Sequence, residues 1–137
     1  MSEQQTIDAL NENALEFVKM LGGRITALDI PGKSCTMEFD VGKQFCHSVD
    51  VIQGGFVTAM LDMAMSHCAF GIDKTIANVS SLEIKTSYLE PTRAGHLRCV
   101  GTIVKAGYKV AFMEGHLYND QGQLTATASS VGKLIRA

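Results

Sequence analysis

The stretch Gln53-Gly54-Gly55-Phe56-Val57-Thr58-Ala59-Met60-Leu61-Asp62-Met63-Ala64 decides how this chain is read. Two glycines open a run that is apolar on nearly every face of a helix, and one carboxylate sits in its middle. A helix apolar all round needs cover on most sides, which puts it at the centre of a fold. Burial makes Asp62 conspicuous, because hiding a carboxylate without a partner is costly or forces its protonation. A Gly-Gly helix start exposes backbone N–H groups that can hold a developing negative charge. The combination predicts a catalytic carboxylate together with an oxyanion-binding helix terminus.

Outward from this helix, expected over 54–70 and ending near Gly71, the chain alternates. Residues 6–21 read as one amphipathic helix, with Ile7, Leu10, Ala14, Phe17, Val18 and Leu21 on its apolar face and Gly22-Gly23 as its stop. Strands are expected at 24–30 and 33–41, joined by Pro31-Gly32, and a loop at 42–52. In the second strand Cys35, Met37, Phe39 and Val41 alternate with Thr36, Glu38 and Asp40. Four more strands follow at 80–89, 96–105, 109–118 and 123–135, the last after the turn Asn119-Asp120-Gln121-Gly122. In 80–89, Leu82, Ile84, Thr86 and Tyr88 are expected on the face opposite Ser81, Glu83 and Lys85. The order is helix, two strands, long helix, four strands: an α+β fold with an antiparallel sheet wrapped around the central helix.

The 137 residues suit one domain over 1–137, with a hydrophobic fraction of 46% that is enough for a real core. A net charge of −2 gives no global pull toward nucleic acid or an anionic membrane surface, so neither is an expected partner. Cys35, Cys46, Cys68 and Cys99 show no CxxC pairing and no zinc spacing, so no metal is expected. The polar start lacks a signal-peptide pattern, and the longest apolar run is broken by Asp62, Ser66 and His67. A reducing cytoplasm is the expected setting.

This order of elements, with Gly54-Gly55 and Asp62 at their spacing, resembles the hotdog fold, and in particular the PaaI-like acyl-CoA thioesterases of the 4-hydroxybenzoyl-CoA thioesterase superfamily. The family motif is an Asn, five residues, His-Gly-Gly, and an Asp nine positions after that His. Here Gln53-Gly54-Gly55 takes the His-Gly-Gly place, Asp62 stands at the Asp spacing, and His47 falls on the Asn position. The run from Ser80 to Pro91 resembles the family strand that ends in Tyr-x-x-Pro. Gly95, Gly107 and the Asp120–Gln123 turn also fall where the family has them. The resemblance covers roughly 35–135.

The resemblance implies hydrolysis of an acyl-CoA to a free acid and CoA, with no cofactor beyond the CoA of the substrate. Asp62 would act as general base or as nucleophile, and the Gly54 amide would polarise the thioester carbonyl. Gln53 and His47 would lie near the reacting carbonyl, holding either a water or the carbonyl oxygen. Ser81 aligns with a hydroxyl residue that holds the attacking water in some members. Gly55 would contact substrate, and Lys105 and Lys109, with Arg93, would meet the CoA phosphates. The family assembles as homodimers that often pair into homotetramers, with sites at the subunit interface.

Other readings of the residues stay open beside these. Ser66, one turn after Asp62, could hydrogen-bond it. His67 lies about 140° around the helix from Asp62, a poor direct pairing. Met60, Met63, Met65 and Phe56, with the N-terminal helix, would line an acyl pocket or simply belong to the core. Two rival functions remain: a hotdog hydratase or dehydratase, which would want a His where Gln53 stands, and a non-catalytic acyl-CoA-binding or regulatory protein, which has no need of a desolvated Asp62.

Overall fold

The computed structural model describes residues 1–137. The apolar run forms a single helix, α3 (Gly54–Ile72), two residues longer than its expected end at 70. Six strands wrap it: β1 (Arg24–Asp29), β2 (Ser34–Val41), β3 (Ile76–Tyr88), β4 (Gly95–Ala106), β5 (Val110–Tyr118) and β6 (Leu124–Arg136). They form one sheet in the order β1-β2-β4-β5-β6-β3, and every neighbouring pair is antiparallel. This is the α+β hotdog architecture.

The helix is held by what it buries. Met60, Leu61, Ala64, Met65, Cys68 and Ala69 have no accessible surface, and Met37, Phe39, Leu97, Cys99, Met113 and Leu117 meet them from the sheet. Each fully buried Leu or Met contributes about 1.5–3 kcal/mol. The sheet passes closest at Gly101 of β4, where a Cβ would collide with the backbone of Ala64 and Met65. Only glycine lets strand and helix approach that far. The alternation read in 33–41 holds, with Cys35, Met37, Phe39 and Val41 buried.

The N-terminal region departs from its reading. Residues 6–21 are not one helix but two, α1 (Glu3–Glu12) and α2 (Glu16–Met20). A capping box starts α1 early: the Gln5 N–H donates to Ser2 Oγ at 3.1 Å, and the Ser2 N–H to Gln5 Oε1 at 2.8 Å. The Asn13 amide bonds the Ala9 carbonyl at 2.8 Å and closes α1. Asn11 then ties it to β1 through both backbone groups of Ile25, at 2.9 and 2.8 Å. After the break Val18 and Leu21 remain in the core while Phe17 turns outward, 47% exposed.

β3 also differs. It begins at Ile76 rather than 80, because the tail of β6 extends the ladder through Ile76↔Arg136 and Val79↔Leu134. Its register shifts between Ser81 (opposite Gly132) and Glu83 (opposite Val131), leaving Leu82 as an extra residue. Such a bulge reverses the facing of everything before it relative to everything after it. Ser81 therefore shares the helix-facing side with Ile84, Thr86 and Tyr88, and Leu82 is 62% exposed.

Candidate active site

Gln53 caps α3 with its own side chain. Its Oε1 accepts the Gly55 N–H at 2.8 Å, and its carbonyl accepts the N–H groups of Phe56 and Val57 at 3.0 and 3.4 Å. Of the donors that a helix start leaves without an intrahelical partner, the Gly54 N–H alone stays free of any bond within the chain. It lies in the wall of a cleft of about 560 Å³, which His47, Gln53, Gly55, Tyr88 and Glu90 also line. His47, Gln53, Gly54 and Gly55 are thus brought together at one helix terminus.

Asp62 lies further along α3, half-buried against β3. Its Oδ1 accepts the Ser81 hydroxyl at 3.0 Å. Burial pushes its carboxyl above the usual carboxylate value, and the Ser81 hydrogen bond pulls part of the way back. The group is thereby a stronger base than a surface Asp and is oriented by one fixed donor. Ser66 makes no such bond to it. The His67 ring turns away, its Nδ1 bonded to the Met63 carbonyl at 2.7 Å, and burial holds its pKa below the ordinary value.

Other candidates are dispersed. Lys105 and Lys109 flank the β4–β5 hairpin, which meets the end of β6: the Leu134 N–H donates to the Lys109 carbonyl at 2.7 Å and Arg136 Nε to the Tyr108 carbonyl at 2.9 Å. Arg136 pairs with Ile76 at the start of β3, whereas the cleft lies beside Tyr88 at its end. Within one chain both lysines therefore stand at the opposite end of the sheet from Gly54. Arg93 is held by Asp50 at 2.7 Å. Met60, Met63 and Met65 are core rather than cleft, at 0%, 6% and 0% exposure, while Phe56 is part-exposed and packs edge-on against Phe45. No group of His, Cys, Asp or Glu is arranged to hold a metal ion.

Three residues to which the sequence analysis gave no role in the site sit at the helix start. Tyr88 Oη bonds the Gly54 carbonyl at 2.9 Å and Thr58 Oγ1 at 2.8 Å, and Thr58 Oγ1 meets Thr86 Oγ1 at 2.9 Å. The available signal was positional: Thr58 lies one turn after Gly54, and Thr86 and Tyr88 are alternate residues of one strand face.

Comparisons with known proteins give the family and the fold. The sequence profile of the thioesterase superfamily matches residues 50–126. The structure is similar to that of a phenylacetic acid degradation-related protein of Ralstonia eutropha JMP134, at 28% identity, TM-score 0.84, and coverage of 96% of this chain and 98% of that one. Two further structures share the fold: PaaI of E. coli (19% identity, TM-score 0.83, 97% and 93% covered) and a thioesterase of Haemophilus influenzae (18%, 0.84, 95% and 90%). A comparison with curated protein sequences gives no match. With more than half its length matched by the family profile and its hotdog fold complete, the chain belongs to the thioesterase superfamily, with PaaI among its structural neighbours.

Proposed function

We propose that residues 1–137 form one acyl-CoA thioesterase domain that hydrolyses its substrate with Asp62 as general base and the Gly54 amide as carbonyl polariser. The observation that carries this reading is the free Gly54 N–H at the start of α3, in the wall of a cleft, on a helix that also carries a carboxylate made more basic by burial. Water attacks the thioester carbon while its proton passes to Asp62. The carbonyl oxygen becomes an oxyanion held by the Gly54 N–H. Collapse restores the carbonyl and breaks the C–S bond, and the departing thiolate takes the proton back from Asp62. Ser81, donating to one carboxylate oxygen, keeps a lone pair for the attacking water. Gln53 holds the first turn of α3 in place, and His47 and Gly55 border the substrate.

Asp62 follows Gly54 by eight residues, which at 1.5 Å per residue is about 12 Å along the axis. One carbonyl cannot touch both groups of the same chain. A second copy would supply the missing half. β3 is an edge strand of 13 residues with no neighbour on one side, and long open edges invite pairing. Phe56, Ala59, Asp62, Ser66 and Phe70 form a stripe of α3 that the sheet leaves partly uncovered. Both features support a homodimer, or a dimer of dimers, with each site built from Gly54 of one chain and Asp62 of the other. The same arrangement would give Lys105 and Lys109 a route to the CoA phosphates from the far end of a partner. Four cysteines without a disulfide fit a reducing, cytoplasmic setting.

The test is free-thiol release from acetyl-, octanoyl-, palmitoyl-, benzoyl- and phenylacetyl-CoA by wild type and Asp62→Asn. Turnover that collapses in the variant supports the reading. Absence of turnover on every thioester overturns it and leaves acyl-CoA binding or hydration.

A further inference from the structure

The hydroxyl chain at the helix start has a fixed direction. A carbonyl oxygen only accepts, so Tyr88 must spend its one proton on the Gly54 carbonyl. Thr58 must then donate to Tyr88, and Thr86 to Thr58. The series Thr86, Thr58, Tyr88, Gly54 carbonyl is thus a one-way relay from the last residues of β3 to the first turn of α3. Tyr88 also packs on Gly54 directly, since a Cβ there would stand 3.2 Å from its Cζ and Oη.

The far end of the same peptide unit is pinned as well. The Gly55 N–H is bonded to Gln53 Oε1 at 2.8 Å. The Gly54–Gly55 peptide is therefore clamped at its carbonyl by Tyr88 and at its N–H by Gln53. Two consecutive glycines give the loosest backbone a helix start can have. The clamps remove that freedom while leaving the neighbouring Gly54 N–H free. We propose that Tyr88, Thr58 and Thr86 are positioning residues that fix the direction of the Gly54 N–H for the thioester oxygen, an inference that rests on the carbonyl-polarising role of Gly54. Preorganised donors work because no reorganisation is needed as charge develops, and a donor left to wander loses that advantage in turnover rather than in binding.

The test joins kinetics to a carbonyl spectrum. Tyr88→Phe keeps the ring and removes the last hydroxyl, and Thr58→Val breaks the relay at its centre. Each is expected to lower kcat by about three- to tenfold, the scale of one hydrogen bond, with KM within about twofold. The double variant is expected to be no slower than Tyr88→Phe alone, because both cut one chain. Thr58→Ser and Thr86→Ser, which keep the hydroxyls, are expected to retain wild-type kcat. In Asp62→Asn, which holds the thioester unhydrolysed, the infrared band of a ¹³C=O-labelled phenylacetyl- or octanoyl-CoA is expected to move to lower wavenumber on binding. Adding Tyr88→Phe should reduce that shift. A shift that Tyr88→Phe leaves in place, with kcat unchanged, overturns the relay and spares the role of Gly54. A band unshifted in Asp62→Asn itself overturns the role of Gly54, and the relay with it.

Discussion

The Ser81 hydroxyl reaches Asp62 at 3.0 Å because Leu82 is an extra residue in β3 that swings Ser81 onto the helix-facing side of the strand. The contact acts on Asp62 in one direction: burial raises its pKa and the Ser81 bond lowers it. A general base works when deprotonated, so with Asp62 in that proposed role kcat/KM should rise with pH through its pKa, at a point above the ordinary value of about 4.

Ser81→Ala removes the lowering contribution. Its acid limb is expected to move to higher pH than in wild type, and its plateau rate to fall by about ten- to hundredfold, since hydrogen bonds to charged groups are worth about 1.5–3 kcal/mol. A kcat/KM profile from pH 4 to 9 decides it. A limb that stays in place, or moves to lower pH, rules out Ser81 as the donor that tunes Asp62.

The same raised pKa has a cost in stability. The unfolded chain ionises Asp62 at its ordinary value and the folded chain at a higher one, so the folded state binds more protons between the two. Stability then falls as pH rises across that window, and the full penalty is present above it. Asp62→Asn is free of the penalty. Its melting temperature is expected to exceed that of wild type at pH 8, with the gap closing as pH falls toward 4. Coincident melting curves at pH 8 would count against a desolvated carboxylate at this position.

The fold was legible because its largest element is also its clearest pattern: a run apolar on all faces can only be a wrapped helix, and β2 alternates cleanly. The site was half legible. Gly54, Gly55 and Gln53 share one turn, so sequence neighbourhood is spatial neighbourhood there. Ser81 was read on the wrong face of β3, because a strict period of two has no place for the bulge at Leu82. The break at Asn13 escaped because its cause is no gap in the apolar pattern but the Asn13 side chain, which bonds the Ala9 carbonyl and ends α1. Thr58, Thr86 and Tyr88 are unremarkable singly and acquire meaning only when the sheet brings residue 88 against residue 54.

His96 on β4 offers a second pH response, on the outer face of the sheet and remote from the helix. Its Nδ1 meets Asp40 at 2.8 Å and its Nε2 meets Glu38 at 2.7 Å, while Arg24 shares Asp40 at 3.1 Å. Asp40 first and Glu38 second raise the His96 pKa above its usual value, against a smaller opposing effect of burial. The charged imidazole bridges two neighbours on β2, so its stabilisation is complete below about pH 6.5 and is lost as pH rises through the raised value. Solvent and salt keep the effect modest. Thermal melts should show wild type ahead of His96→Gln at pH 6 and the two converging by pH 9. An advantage that is constant across that range would mean the ring acts by packing alone.

The proposed division of the site between two chains gives the sharpest prediction. As homodimers Asp62→Asn should be inactive and Gly54→Ala strongly slowed, the second because a Cβ at Gly54 stands 3.2 Å from the Tyr88 ring end and pushes that clamp off the Gly54 peptide by a few tenths of an ångström. A heterodimer of the two carries one site with both lesions and one with neither. The intact site takes Gly54 from the Asp62→Asn chain and Asp62 from the Gly54→Ala chain. Random reassortment of equal amounts makes half the dimers mixed, each with one working site, so activity should return to about a quarter of wild type. The measurement is thiol release after the two variants are mixed, dissociated and allowed to reassemble. If each site lay within one chain, every site in the mixture would carry a lesion and no activity would return, so recovery distinguishes a shared site from a private one.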